Sequence, residues 1–224
     1  MPTALIIGAS RGIGHELARQ YRADNWRVIA TARQQQDLDG LAALGCETLH
    51  LDVNNVEDCA GFGWKIEDEH FDVAVVNAGV YGPRHNGLDT PTEEEFNLVM
   101  QTNVLAAMRL LPLVAPHVAR AKGRLAVTSS KMGSISLRTS ASGWLYRASK
   151  AALNSVLVDT SLSAAAQGAI CVAYHPGWVQ TDMGGAGADL SVTDSVTGIR
   201  AMLSQLHAAD NGKFFNYDGT ALSW

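Results

Sequence analysis

Apolar and polar positions along this chain follow two periods, and the change from one to the other recurs from end to end. Residues 3–7 form a continuous apolar run, the pattern of a strand covered on both faces within a parallel sheet. After a glycine turn the period lengthens, and Ile13, Leu17, Ala18 and Tyr21 fall on one helical stripe. The same alternation predicts further strands at 26–31, 47–51, 71–76, 123–128, 168–174 and 213–216. Helical patterns lie between them at 35–44, after Asn54-Asn55 with interruptions at Gly61 and Gly63, and at 193–206. Two longer helices stand out. One opens at Thr90-Pro91-Thr92-Glu93, read as an N-cap, a proline at the first helical position and a capping-box glutamate. It continues with Phe96, Val99, Met100, Ala107, Leu110, Leu111 and Val114 facing a core. The other opens at Tyr146 and runs through Leu153, Val156, Leu157 and Leu162. Strands alternating with helices, without repeats or a low-complexity linker, predict an α/β protein with one domain over residues 1–224.

Composition narrows the setting. The 224 residues are 47% hydrophobic and 17% charged, an ordinary globular balance, and the formal net charge is −5. An acidic chain without a basic run argues against nucleic acid or an anionic membrane as partner. The apolar segment near Met1 breaks at Gly8 and has no charged region before it, so it reads as a strand and not as a signal peptide or membrane span. Cys46, Cys59 and Cys171 show no metal-ligand spacing, and the expectation is reduced thiols in the cytoplasm. The seven histidines, His85 among them, are scattered, and no metal site is expected.

Candidate chemistry gathers where strands end. Gly8-Ala9-Ser10-Arg11-Gly12-Ile13-Gly14 joins a strand to a helix, which exposes backbone N–H groups and a positive dipole end to a pyrophosphate. The second strand lacks the terminal acid that holds a ribose 2′-hydroxyl and is followed by Arg33. With Arg11 it offers two arginines for a 2′-phosphate, which favours NADPH over NADH. Asp52-Val53 ends the third strand, where the carboxylate either meets an adenine amino group or caps the next helix. Asn77-Ala78-Gly79 ends the fourth strand and Ser129-Ser130 the fifth. Asn103 interrupts an apolar stripe, so its amide either ties backbone together or holds a water. Tyr146 and Lys150, four residues apart, share one side of a helix, where an ammonium would favour the phenolate and make the tyrosine a general acid/base. A solvated helix face is the alternative. Trp144, Leu145, Trp178 and Met183 line an apolar pocket or pack in the core, and residues 184–190, rich in glycine, suggest a mobile segment.

Gly8-x-x-x-Gly12-x-Gly14, Asp52-Val53, Asn77-Ala78-Gly79, Asn103, Ser130, Tyr146-x-x-x-Lys150 and Pro176-Gly177 through Thr181 resemble, in order and spacing, the short-chain dehydrogenase/reductases. Residues 176–185 and 214–224 are similar to the small carbonyl reductases of the sniffer and C-factor group. The resemblance implies a doubly wound Rossmann sheet of about seven parallel strands with helices on both faces. It implies Tyr146 as proton donor to a carbonyl oxygen, Lys150 lowering its pKa and bonding the nicotinamide ribose, Ser130 polarising the carbonyl and Asn103 anchoring a water. Gly8, Ser10, Arg11, Gly12, Ile13 and Gly14 would cradle the phosphates, and Arg33 would read the 2′-phosphate. Asp52 and Val53 would flank adenine, Asn77, Ala78 and Gly79 the ribose, and Pro176, Gly177, Val179 and Thr181 would hold the nicotinamide. Ser130 precedes Tyr146 by sixteen residues. That is longer than the family interval, so 134–143 carries an insertion beside the substrate pocket, with Ser129 as the alternative serine. The expected activity is NADPH-dependent reduction of an aldehyde or ketone, or the reverse oxidation, in a homodimer or homotetramer formed through the helices of Asn103 and Tyr146. The C-factor resemblance also admits an NADP(H)-binding regulatory or signalling protein.

Overall fold

The computed structural model describes residues 1–84, 87–165 and 167–224; His85, Asn86 and Ala166 lie outside the described residues. Eight strands form one sheet: β1 (Thr3–Ile7), β2 (Arg27–Ala32), β3 (Glu47–His50), β4 (Val73–Val76), β5 (Arg124–Thr128), β6 (Ile170–His175), β7 (Lys213–Asn216) and β8 (Ala221–Leu222). Their order is β3-β2-β1-β4-β5-β6-β7-β8. The first seven pair in parallel, as expected. The eighth was not expected from the sequence; it returns after Tyr217-Asp218-Gly219 and pairs antiparallel with β7. The order reverses beside β1, so the turns after β1 and β4 splay apart and leave a crevice at the carboxyl edge.

Period two explains why β1 is apolar from Ala4 to Ile7. Leu5 and Ile7 enter one core and Ala4 and Ile6 the other, all fully buried. One core is closed by α3 (Val56–Lys65), α5 (Ala106–Arg120) and α6 (Trp144–Ala165), through Phe62, Leu110, Leu111, Val114, Leu153 and Leu157. The other is closed by α1 (Gly12–Ala23), α2 (Gln35–Ala43) and α7 (Val192–Gln205), through Leu17, Tyr21, Leu38, Ile199 and Leu203. α3 runs unbroken through Gly61 and Gly63. Burying both faces is what a parallel sheet requires, since neither face carries enough polar side chains to meet water.

The long helix departs from expectation at its start. Its N-cap is Thr92, two residues later than Thr90, and the capping box is completed by Glu95. α4 (Glu93–Met100) thereby gathers three glutamates in its first turn, at the positive end of its dipole. A π-helical turn (Gln101–Leu105) joins it to α5. The extra residue in that turn rotates the apolar stripe, and Phe96, expected in the core, is 47% exposed. Leu162 on α6 is 72% exposed, outside the buried stripe of Leu153 and Leu157. Glu93–Arg120 is long and apolar enough to cross a membrane by length and composition, yet more than half of its apolar window is spent on the core. Thr92→Ala should lower stability by about 1 kcal/mol in urea unfolding, the usual worth of a side-chain cap, whereas Thr90→Ala should change it little.

Candidate active site

At the switch point three glycines are demanded by contact. Gly8 has φ +85°, and a Cβ there would lie 2.8 Å from the backbone of Ala78. A Cβ on Gly14 would stand 2.1 Å from the Gly8 carbonyl oxygen and 2.7 Å from Asn77 Nδ2. Gly12, at φ +54°, faces the Thr181 methyl, 3.2 Å from where its Cβ would be. The glycine spacing therefore records three backbone approaches: to the end of β4, to the turn itself and to the segment after β6. Thr31 pins the turn from β2, accepting from Gly8 N at 3.1 Å and from Ala9 N at 2.8 Å. Asn77 donates to Gly8 O at 2.9 Å and accepts from Thr128 Oγ1 at 3.0 Å, tying β1, β4 and β5 together.

The N-terminus of α1 has no side-chain cap and no acid in its first turn, and Arg11 occupies the N-cap. Free N–H donors in a glycine cradle suit a pyrophosphate. Ser10 is half-buried in the turn, and Ile13 packs against the core beneath it. Arg11 is exposed and donates to Asp182 at 2.9 Å, while Arg33 is exposed just after β2, where no acid stands. Asp52 does not cap the next helix: it accepts from Asn54 N at 2.9 Å in the turn before it, and Asn55 is the N-cap of α3, accepting from Asp58 N. Val53 is 6% exposed and belongs to the core. After β6, Pro176 accepts from Ser195 Oγ at 2.6 Å, Gly177 turns at φ +89°, and Val179 bridges to Leu190. Thr181 Oγ1 accepts from Gly184 N at 3.1 Å.

A second group converges at the ends of β4 and β5. Lys150 is 4% exposed; its Nζ donates to Thr128 O at 2.7 Å and stands 5.7 Å from the centroid of the Tyr146 ring. Tyr146 is 8% exposed, and the Ser130 hydroxyl is near enough to favour its phenolate. Ser129 points elsewhere, donating to Asn154 Oδ1 at 2.5 Å, so Ser130 is the serine beside the phenol. Asn103 accepts from Val80 N and donates to Val80 O, both at 2.8 Å, and donates to Ser149 Oγ at 2.9 Å. Its side chain ties backbone together, the first of the two expected roles. Gly79 fits between, since a Cβ would meet Asn103 Oδ1 at 3.2 Å and Lys150 Nζ at 3.3 Å.

Electrostatics here reverse one expectation. Burial pushes the Tyr146 phenol up to about 12, with the nearby Ser130 hydroxyl pulling the other way. Burial also brings Lys150 down to about 8. The ammonium was expected to dominate; desolvation of the phenolate wins because Nζ bonds Thr128 O instead of the phenol oxygen.

Several neighbours carried no clear signal in the sequence. Tyr81 stacks on Tyr146, with ring centroids 4.6 Å apart and planes at 25°. Arg84 lies over the Tyr81 ring at 5.0 Å and donates to Met183 O at 2.9 Å. An aromatic in the glycine-rich loop just past Asn77-Ala78-Gly79, on the ligand edge, was the available hint. Neither Trp144 nor Trp178 is a core residue. Their indoles donate to Asp89 O at 3.0 Å and Gly184 O at 2.9 Å. The 134–143 loop is fastened to Ser223 and Trp224, with Ser134 Oγ donating to Ser223 O at 2.8 Å and Ser136 N to Trp224 O at 3.1 Å.

Known proteins share this fold. Residues 2–189 match the family model described as short chain dehydrogenase. The C-signal protein of Myxococcus xanthus is 36% identical over 154 residues, 68% of this chain and 92% of that protein. The carbonyl reductase Sniffer of D. melanogaster superposes with a TM-score of 0.89 at 30% identity, covering all of both chains. A carbonyl reductase from Pseudomonas aeruginosa PAO1 in complex with NADP superposes at 0.84 with 35% identity, again over the full length of both. With glycine turn, tyrosine and lysine on a Rossmann-like sheet and the family model covering most of its length, the chain belongs to the short-chain dehydrogenase/reductase family of oxidoreductases.

Proposed function

We propose that the protein is an NADPH-dependent carbonyl reductase in which Tyr146 is the proton donor. One observation carries this reading: a buried tyrosine, with the Ser130 hydroxyl close by and Lys150 Nζ 5.7 Å from its ring centroid, sits at the carboxyl edge near a glycine turn with uncapped N–H groups. The nicotinamide cofactor, when bound, supplies the hydride. Gly8, Ser10, Arg11, Gly12, Ile13 and Gly14 would hold its phosphates, and Arg33 with Arg11 its 2′-phosphate. For that, Arg11 leaves Asp182, a cheap exchange because both side chains are about three-quarters exposed. Asn77, Ala78 and Gly79 border the ribose, Asp52 and Val53 the adenine end, and Pro176, Gly177, Val179 and Thr181 the nicotinamide end. The NADP complex of the similar Pseudomonas aeruginosa reductase supports the same choice of cofactor.

The chain's own residues then handle the proton. A phenol held near 12 remains protonated at neutral pH, which suits donation to a carbonyl oxygen gaining negative charge. Ser130 donates a hydrogen bond to the same oxygen and stabilises the developing alkoxide. Lys150, with its value near 8, keeps an ammonium beside the phenolate that donation leaves behind. Asn103 holds Val80 and Ser149, and through Ser149, which donates to Tyr146 O at 2.8 Å, steadies the first turn of α6. The likeness to the C-signal protein favours a second reading, an NADP(H)-binding signalling protein with incidental turnover. A signalling role needs no phenolic donor, so loss of the Tyr146 hydroxyl separates the two.

Tyr146→Phe should lower kcat for aldehydes and ketones by roughly 10²–10⁴-fold, followed as NADPH oxidation, with NADPH affinity retained. Wild-type protein that binds NADPH yet turns over no aldehyde, ketone or quinone overturns the enzymatic reading. Arg33→Asp should weaken NADPH far more than NADH in direct titration; equal losses would remove the 2′-phosphate assignment. Burial of Lys150 predicts a pH signature of the ligand-free protein. Between about 8 and 10.5 the unfolded chain keeps a proton that the native one has released, so stability rises with pH there and is reduced below it. The reduction is on the order of 3 kcal/mol at about 1.36 kcal/mol per unit. Lys150→Met should therefore be more stable at pH 7, and its difference from wild type should shrink across that window; parallel curves would argue against a buried ammonium.

A further inference from the structure

The Tyr146 ring is covered by Tyr81 as well as flanked by Lys150, and Tyr81 is itself fixed from several directions. Its ring lies 4.6 Å from that of Tyr146, too close for any substrate to pass between them. Its hydroxyl end is seated against Gly143, where a Cβ would come within 2.5 Å of the Tyr81 oxygen and 3.0 Å of Met132 Cε. Gly143 has φ +66°, so that seat suits a residue without a side chain on both counts. Arg84 covers Tyr81 at 5.0 Å and reaches across to Met183 O, which joins the segment after β4 to the segment after β6. Among the described residues no carboxylate pairs with Arg84, so its guanidinium is committed to the ring and that carbonyl. At the near end Val80 is bonded through both N and O to Asn103, and at the far end Asp89 O accepts from Trp144 Nε1 at 3.0 Å. Tyr81 thus lies beside both elements that carry the proposed chemistry: its neighbour Val80 is bonded to Asn103 of the π turn, and its own ring and hydroxyl lie against Tyr146 and Gly143 at the start of α6.

We propose that Tyr81, clamped by Arg84, is a positioning and specificity-determining residue of this site, fixing the Tyr146 ring and admitting carbonyl compounds that are slender or planar at the reacting carbon over those branched on both flanks. Tyr81 covers one face of the Tyr146 ring, so a carbonyl compound approaching the phenol is crowded on that side. An unbranched aldehyde or a conjugated planar ketone meets the requirement. The stack also excludes water from the phenol, in keeping with burial as the largest influence on Tyr146. The substrate preference rests on the reading of Tyr146 as proton donor; the positioning of its ring does not.

The test therefore has one arm without turnover. Tyr146 acetylation by N-acetylimidazole, located by peptide mass spectrometry, should be slow in wild type and in Tyr81→Phe. It should be roughly three- to tenfold faster in Tyr81→Ala, the population change that loss of one stacked aromatic pair brings. Arg84→Ala, which leaves the core untouched, should move the rate in the same direction and serves if Tyr81→Ala does not fold. In the second arm, kcat/KM for a ketone branched on both flanks, relative to hexanal, should rise by a similar factor in Tyr81→Ala and stay at the wild-type ratio in Tyr81→Phe. Unchanged acetylation of Tyr146 in both Tyr81→Ala and Arg84→Ala overturns the positioning role, and an unchanged substrate ratio overturns the specificity role. Wild-type protein inactive on every carbonyl defeats the reductase reading and with it the substrate preference, while the acetylation arm still decides whether Tyr81 fixes Tyr146.

Discussion

A lysine ammonium placed almost wholly out of water is the constraint around which this molecule is arranged. Desolvating such a charge is expensive, and the chain offers it little direct compensation: the carbonyl of Thr128 and the face of Tyr146. Its neighbours are those that can come close. Gly79 approaches because it has no side chain, and Asn103 reaches Val80 because a π turn presents it to the end of β4. Thr128 ends β5 beside Tyr174, whose hydroxyl it meets at 2.5 Å. The central strands and two long helices thus converge on one buried charge. A site of this kind keeps its energetic cost because the charge is useful there, and folding stability elsewhere must cover it.

The glycine turn obeys the same logic at the other side of the crevice. Gly8 and Gly12 are required by groups approaching from outside the turn, Ala78 and Thr181, and Gly14 by the turn's own carbonyl. Asn77 links the two halves, since its amide holds Gly8 O and its oxygen receives Thr128, the residue whose carbonyl holds Lys150. The glycine turn and the corner that holds Lys150 are therefore joined by a short run of hydrogen bonds through strand ends.

Much of this was legible in the sequence, and the misses have physical causes. Residues 3–7 announce a strand buried on both faces because Ala4, Leu5, Ile6 and Ile7 form an unbroken apolar run, and the helices follow because their stripes keep a period near 3.6. The start of α4 was placed at Thr90 because Thr90 and Thr92 both stand three residues before a glutamate; the later cap wins by drawing Glu93, Glu94 and Glu95 into the first turn. Phe96 was misplaced because a π turn shifts the phase of a stripe, and nothing in the local residues marks one. β8 has two residues, too short for any periodicity to register. Tyr146 and Lys150 were found from their spacing, yet the direction of the tyrosine's shift was not, because burial depends on Tyr81, brought alongside only by folding.

That last short strand has a bearing on how the folded chain behaves in company. A sheet whose outermost members are long and flat offers any passing polypeptide a row of free amides and carbonyls on which fibrils can grow. Here one margin ends in Ala221–Leu222 and the other in the four-residue Glu47–His50, where Glu47 is held by Arg27 at 2.6 Å. Neither margin gives a foreign backbone enough length to register against, so self-recognition by strand addition is discouraged at both rims of the fold.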